Sequence, residues 1–176
     1  MASYSDYVIL IRQSPVPAGQ VNFYLDRLKD NHDGTFTYTN SVNLGTDGNW
    51  YCGFDGTNIY GIFTTRLNKY DTTLSLVTGW QTGGRKIITA LGKRCLAVDF
   101  ITGSVVVFTT TAARTILLDS DGNQIWNVAD PYSQDKKITR FAQNGNILSA
   151  SGLNAGESGV LLMSAATGAT ICTFAD

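Results

Sequence analysis

Short runs of β-branched and aromatic residues alternate with turn-forming Gly, Asn and Asp residues along the whole chain, roughly every eight to twelve residues. The first such run is Tyr7 to Arg12, and the last is Thr170 to Phe174. No window of a dozen residues keeps the 3.6-residue period of an amphipathic helix. Asp55-Gly56-Thr57 separates two apolar runs and predicts a tight β-hairpin. The pattern therefore predicts one all-β domain over residues 1–176.

A strand-turn-strand pattern recurs four times along the chain. Each copy has an apolar strand carrying an anchor leucine, a polar turn, and a strand with apolar residues at alternate positions; the clearest copy is Ile116 to Trp126. The anchor leucines are about 40 to 50 residues apart, a spacing typical of radial repeats, and they are Leu28, Leu67, Leu118 and Leu162. The predicted repeats, of about 45 residues each, span residues 1–45, 46–84, 85–134 and 135–176.

The third copy resembles the blade endings of quinoprotein-type β-propellers in its Leu118-Asp119 pair, Gly122 and Trp126. The resemblance implies a β-propeller-like ring of four-stranded sheets. A β-sandwich or jelly roll, or a stacked or prism-like repeat, would account for the same strand pattern. Four sheets are few for a propeller. We therefore also expect the chain to associate with itself or with a larger assembly, which would cover open sheet edges.

Charged residues make up 15% of the chain, against about 25% in an average globular domain. The chain has thirteen Lys and Arg residues and fourteen Asp and Glu residues, so the formal net charge is −1. No nucleic-acid partner is expected, because binding a nucleic-acid backbone needs clustered positive charge. The densest basic spots are three pairs that we predict to lie on solvated turns, at Arg85-Lys86, Lys93-Arg94 and Lys136-Lys137.

The apolar runs are too short to predict a membrane span, which needs about 18 apolar residues. No membrane partner is expected. Met1 to Asp6 lacks the basic start of a secretory signal peptide, so the sequence predicts synthesis in the cytoplasm. A virus particle would be one way for the protein to leave the cell.

Groups suited to catalysis or metal binding are sparse. The only histidine, His32, lies in the turn-like segment 30–34, where it is predicted to be exposed. The three cysteines are far apart and are predicted to be buried thiols, at Cys52, Cys95 and Cys172. Asp119-Ser-Asp121 resembles the start of a calcium loop but lacks the distal Glu, so we predict a plain hairpin turn. The sequence therefore predicts no catalytic residues, no metal site and no cofactor.

Aromatic residues are the remaining candidates for ligand binding, because their faces stack on sugar rings. Trp80 lies in the glycine-containing segment 78–84, where we predict partial exposure. Trp50, Tyr51 and Tyr132 complete the candidate binding set. Trp126 follows the most regular turn and is predicted to lie in the core.

These features favour a non-catalytic structural or assembly protein. The low charge, the Thr-, Asn- and Gly-rich composition and the lack of a catalytic set resemble the style of small phage virion proteins. The predicted role is therefore an accessory component of a virus or phage particle. The alternative is a lectin-like carbohydrate-binding module with glycans as partners.

Overall fold

The computed structural model describes residues 2–4, 6–15, 20–46, 51–63, 65–88, 96–109, 114–129, 136–151 and 159–175. Within these ranges the chain contains strands and turns but no α-helix, and none of it could cross a membrane as a helix. The strands form four antiparallel four-stranded sheets, each made of strands consecutive in sequence. The all-β prediction is confirmed.

The strand bounds follow the apolar runs of the sequence. The first sheet contains β1 (Ala2–Tyr4), β2 (Tyr7–Pro15), β3 (Val21–Asp30) and β4 (Phe36–Gly45). The second contains β5 (Tyr51–Phe54), β6 (Ile59–Ile62), β7 (Arg66–Tyr70) and β8 (Arg85–Ile87). The third contains β9 (Leu96–Val98), β10 (Val105–Thr109), β11 (Arg114–Leu118) and β12 (Gln124–Ala129). The fourth contains β13 (Lys136–Phe141), β14 (Ile147–Ser151), β15 (Gly159–Met163) and β16 (Thr170–Ala175).

Turn chemistry fixes the hairpins between these strands. The Asp55 carboxylate accepts hydrogen bonds from the backbone N–H groups of Thr57 and Asn58, at 2.8 and 2.6 Å. Gly56 has a φ of +96°, which an L-residue rarely adopts. The hairpin predicted at this position is confirmed. The Asp119 carboxylate accepts from the backbone of Asp121 in the same way, so the calcium-like segment is a hairpin turn as predicted.

One repeat per sheet is confirmed, but the anchor leucines do not occupy one register, since Leu118 ends β11 whereas Leu67 is the second residue of β7. The anchor leucines lie in the third strand of each sheet, at Leu28 in β3, Leu67 in β7, Leu118 in β11 and Leu162 in β15. Strand β8 pairs with β7, so residues 85–87, at the start of the predicted third repeat, belong to the second sheet.

Apolar side chains pack between successive sheets, and we call each such contact a junction. The first junction, between the first and second sheets, includes Ile9, Phe23, Leu25, Ile59, Phe63 and Tyr70. The second, between the second and third sheets, includes Tyr60, Leu67, Trp80, Val105, Val107 and Ile116. The third, between the third and fourth sheets, includes Val106, Phe108, Leu117, Trp126, Ile147 and Leu161.

The innermost strands follow the same order. Strand β1 contacts β5, β5 contacts β9, and β9 contacts β13. In the described part of the chain no comparable contact joins β13 to β1, so the four sheets do not close into a ring.

A tryptophan lies over a glycine turn at the second and third junctions. Trp126 Nε1 donates to the Ala165 carbonyl oxygen at 2.7 Å, and a Cβ on Gly168 would lie only 3.0 Å from its ring. Trp80 Nε1 donates to the Ser120 carbonyl oxygen at 2.9 Å. Trp126 is therefore in the core as predicted, but the predicted exposure of Trp80 is wrong. Only 5% of Trp80 is exposed, because its turn folds the indole onto the third sheet.

Candidate binding pocket

Strand β7 presents different side chains to the two sheets that flank it, because successive residues of a strand point to opposite faces. Leu67 packs into the second junction, and Lys69 Nζ donates to the Ser120 carbonyl oxygen of the third sheet at 3.2 Å. Tyr70 packs into the first junction. Arg66 and Asn68 alternate with Leu67 and Lys69, so they share the face of Tyr70, toward the first sheet.

Arg85 joins this face from the neighbouring strand. Antiparallel pairing of β7 with β8 places Arg85 directly opposite Asn68, and paired residues share a face of the sheet. The sequence predicted a solvated turn at Arg85-Lys86, which is wrong. The turn lies just before, at Gly83 and Gly84 with φ of +63° and +82°, and the strand begins at Arg85.

These side chains line a cleft of about 270 Å³ in the first junction, which we call the junction pocket. Its polar residues are Arg66, Arg85, Asn68, Tyr70 and Asn43. Its apolar walls are Val42, Leu44, Phe63, Leu74 and Leu76. The described lining includes two guanidinium groups and no carboxylate.

Asn68 is the unusual residue of the pocket. It is only 3% exposed, although its side chain is polar. Its Nδ2 donates to the Tyr70 hydroxyl at 2.8 Å, while its buried Oδ1 has no hydrogen-bond partner among the described residues. An unsatisfied buried acceptor costs about 1–3 kcal/mol, so this oxygen calls for a partner such as a water molecule or a bound ligand.

The two arginines add positive charge at the same place. Burial raises the pKa of the Tyr70 hydroxyl, whereas its hydrogen bond to Asn68 and the charges of Arg66 and Arg85 oppose that rise. Both guanidinium groups therefore act electrostatically on the Tyr70 hydroxyl. The Arg66 Cζ lies 4.6 Å from the centroid of the Phe63 ring, which holds its guanidinium along the pocket wall.

A second cleft, of about 380 Å³, lies where β5, β9 and β13 approach one another. Its acidic residue, Asp99, accepts hydrogen bonds at both carboxylate oxygens from its own turn, at 3.1 Å from Ile101 N and 2.6 Å from Thr102 Oγ1. Burial raises the pKa of the Cys52 thiol, which makes it a weak nucleophile. This cleft therefore has a rigid turn rather than an activated group. No described His, Cys, Asp and Glu residues gather in threes as a metal site would require.

Of the four aromatic residues proposed for sugar binding, the structure describes Trp80 and Tyr51, and neither is fully exposed. Trp80 is buried, and half-buried Tyr51 packs against the second and third junctions. Trp50 and Tyr132 lie outside the described residues. The junction pocket was missed because its signal was only Arg, Asn and Tyr at alternate positions of one strand.

The prediction that the cysteines are buried was only partly confirmed, whereas the prediction that the histidine is exposed was confirmed. Cys52 and Cys172 are free and half-buried rather than fully buried, and Cys95 lies outside the described residues. His32 is exposed as predicted, and its Nε2 lies 3.1 Å from an Asp6 carboxylate oxygen.

No family model and no curated protein sequence matches the chain. Solved structures do resemble it. Apo AztD from Citrobacter koseri aligns with 99% of this chain and 45% of its own, at 15% identity and a TM-score of 0.60. A Bacteroides fragilis protein proposed to be a 6-phosphogluconolactonase aligns with 93% of this chain and 56% of its own, at 12% identity and a TM-score of 0.62. A eukaryotic initiation factor aligns with 95% of this chain and 42% of its own, at 9% identity and a TM-score of 0.55.

The fold is therefore β-propeller-like, and the chain spans about half the length of these neighbours. The prediction of a non-catalytic virion component is wrong. The structure resembles propellers that include a protein proposed to be a lactonase, and these neighbours are not virion proteins. An all-β fold is compatible with many functions, so the strand pattern and composition could not separate them.

Proposed function

We propose that the chain is a ligand-binding β-propeller module that holds a small polyhydroxylated anion, a sugar acid or sugar phosphate, in the junction pocket. The observation that carries the proposal is the buried, unpartnered Asn68 Oδ1 on the same face as two arginines. A ligand hydroxyl would donate to this oxygen. A carboxylate or phosphate would accept hydrogen bonds from Arg66 and Arg85.

The chemistry of the pocket suits this class of ligand. Arginine binds planar carboxylates and phosphates through paired N–H donors, and hydrogen bonds to charged groups contribute about 1.5–3 kcal/mol each. Apolar walls at Phe63 and Leu74 reduce competition from water. The volume of about 270 Å³ is close to the lower end of ordinary ligand pockets, about 300 Å³, so the ligand should be small.

A resemblance in fold supports the same ligand class. The Bacteroides fragilis neighbour is proposed to be a 6-phosphogluconolactonase, and a phosphorylated sugar lactone combines an anionic group with several oxygen functions. Those are the two features that the junction pocket would recognise.

Calorimetric titration with 6-phosphogluconate, gluconate and glucose tests the proposal. We expect both anions to bind and glucose to bind much more weakly, because it gives Arg66 and Arg85 no charge to pair with. Bound ligand should also raise the free energy of unfolding, by about 2.7 kcal/mol at a hundredfold excess over Kd. Equal affinity for glucose and for the anions would contradict the proposal.

Two variants on neighbouring positions sharpen the test. Arg85→Gln should weaken binding of 6-phosphogluconate about tenfold or more, because a charged hydrogen bond is lost. Lys86→Gln is the matched control. Lys86 pairs with Leu67, on the other face of β8, and its Nζ reaches Gln81 Oε1 at 3.4 Å. Equal losses of affinity in Arg85→Gln and Lys86→Gln would show that binding depends only on net charge, which would contradict a direct contact of the ligand with Arg85.

A third variant separates the hydroxyl contact from the charge contact. Asn68→Leu keeps both arginines but removes the buried amide. It should weaken binding of 6-phosphogluconate while leaving affinity for inorganic phosphate unchanged. An unchanged affinity for 6-phosphogluconate would remove the role assigned to Asn68.

A further inference from the structure

The first and fourth sheets each have a face with a row of apolar side chains that no other part of the described chain covers; on the first sheet the same face also carries the Arg12–Asp26 ion pair. In the third sheet, β10 (Val105–Thr109) is buried on both sides, because sheets pack against both of its faces. Val8 to Ile11 in β2 and Val160 to Met163 in β15 are equally continuous apolar runs. Such runs are typical of strands buried on both faces. Their sheets, however, have only one junction each.

The outer face of the first sheet has a row of apolar side chains across three strands. Val8 pairs with Leu28, and Leu28 pairs with Tyr38, so the three lie side by side on one face. The opposite face holds Ile9, which is fully buried in the first junction. Tyr38 is 56% exposed, and Phe36, which lies two residues before it in β4 and on the same face, is 54% exposed.

The outer face of the fourth sheet has a matching row. Leu148 pairs with Leu162, and Val160 pairs with Phe174, so these residues share a face. Leu161 alternates with them and is buried in the third junction. Leu148 is 41% exposed and Phe174 is 59% exposed.

We propose that these two faces bind each other between two copies of the chain, so that a pair of chains closes an eight-sheet ring. The fourth sheet of each copy would pack against the first sheet of the other. The two contacts would be identical and related by a twofold axis, which closes the assembly. Each copy would keep its own junction pocket, so this inference does not depend on the proposed function.

The three internal junctions show how such a contact is made. At each, a side-chain N–H of one sheet donates to a turn carbonyl of the next: Asn40 to Thr73, Trp80 to Ser120 and Trp126 to Ala165, at 2.7–2.9 Å. In each junction, one sheet packs its face toward the next sheet along the chain, and that next sheet packs its face toward the preceding one. The uncovered face of the fourth sheet is of the first type and the uncovered face of the first sheet is of the second type, so the two are suited to form a further junction.

The neighbours' lengths favour a second copy as the occupant. This chain covers between 42% and 56% of the three neighbours, so two copies supply about one propeller. Contacts between innermost strands run from β1 to β13 and would continue from β13 of one copy to β1 of the other. Burial of the exposed aromatic rings would provide the driving force.

Light scattering coupled to size-exclusion chromatography tests the ring. We expect a particle of twice the 19.0 kDa chain mass. Phe174→Lys and Tyr38→Lys each place a charge in the contact. Each should raise the dissociation constant about tenfold or more, and Phe36→Lys is a second variant on the first sheet. The control is Ile125→Lys, because Ile125 is 50% exposed at the edge of the third sheet. A cooperative thermal transition checks that each variant folds.

Mixing the two variants distinguishes this contact from other dimers. Phe174→Lys and Tyr38→Lys proteins, each monomeric alone, should pair on mixing, because one junction then has two unmodified faces. A dimer in which fourth sheets face each other would be insensitive to Tyr38→Lys. A wild-type chain that stays monomeric at high concentration, a dimer insensitive to either variant, or an open polymer would overturn the proposal.

Discussion

Gly122 is the position at which the contact between sheets can be measured most directly. It lies in the β11–β12 turn, and a Cβ added there would meet Trp80 Cζ2 at 2.6 Å and Gln81 Cγ at 2.8 Å. Its φ of +81° adds a second cost for any L-residue. Gly122→Ala should therefore destabilise the protein through backbone strain and through overpacking of the second junction.

Gly145 provides a matched control. It also has a φ of +81°, and its turn repeats the hydrogen bonds of the Gly122 turn, with the glycine N–H donating to the carbonyl three residues before. Apart from Gly145 itself and its two chain neighbours, no described residue has an atom within 4 Å of an added Cβ at Gly145. Gly145→Ala should cost about 1–2 kcal/mol, the cost of left-handed backbone. Gly122→Ala should cost a further 1–3 kcal/mol or so from overpacking.

Urea denaturation of the two variants measures these free energies of unfolding. A difference of about 2 kcal/mol corresponds to roughly 4–8 °C in Tm for a chain of this size. In the double variant Trp80→Ala/Gly122→Ala, the extra cost of the methyl group should fall, because the ring is gone and only the contact with Gln81 Cγ remains. Equal losses of unfolding free energy in Gly122→Ala and Gly145→Ala would contradict this prediction, because they would show that Trp80 does not pack against the Gly122 turn.

Two further predictions concern the cores and the turns. Trp126→Ala and Trp80→Ala should each reduce the free energy of unfolding by about 3–5 kcal/mol in chemical denaturation, since each empties a large buried site; a loss below 1 kcal/mol at either would contradict the observed burial. Although burial raises the pKa of Asp119, hydrogen bonds from Asn123 lower it below its ordinary 3.8, so its charge stabilises the fold above about pH 4 and the stabilisation is lost as the pH falls further. Asp119→Asn should therefore be less stable than wild type at about pH 6 but not at about pH 2.5, and a pH-independent deficit would contradict this.

The architecture was accessible from the sequence because local patterns specify it. An anchor leucine and a glycine-containing turn recur with each sheet, and every paired strand follows its partner along the chain.

The junction pocket was less accessible, because its residues come together only when sheets pack. Arg66 and Asn68 are close in sequence, but Arg85 reaches them through the pairing of β7 with β8. The burial of Trp80 was unexpected for a related reason. Glycines around it indicated a loose loop, whereas the structure uses them to fold the indole against Gly122 of the next sheet. Local composition cannot predict the contact of Trp80 with Ser120, which lies 40 residues later in the chain.

Every hydrogen-bonded strand ladder in the described structure is contained within a single sheet. Duplication or deletion of one whole sheet would therefore leave every remaining ladder intact and would alter only how side chains meet across a boundary. Hydrophobic faces of similar width tolerate such exchange more readily than backbone pairing does, because their interactions are not directional. Sheet number in this architecture can thus change in evolution by recombination of whole genetic segments, with each new boundary refined afterwards by point substitutions.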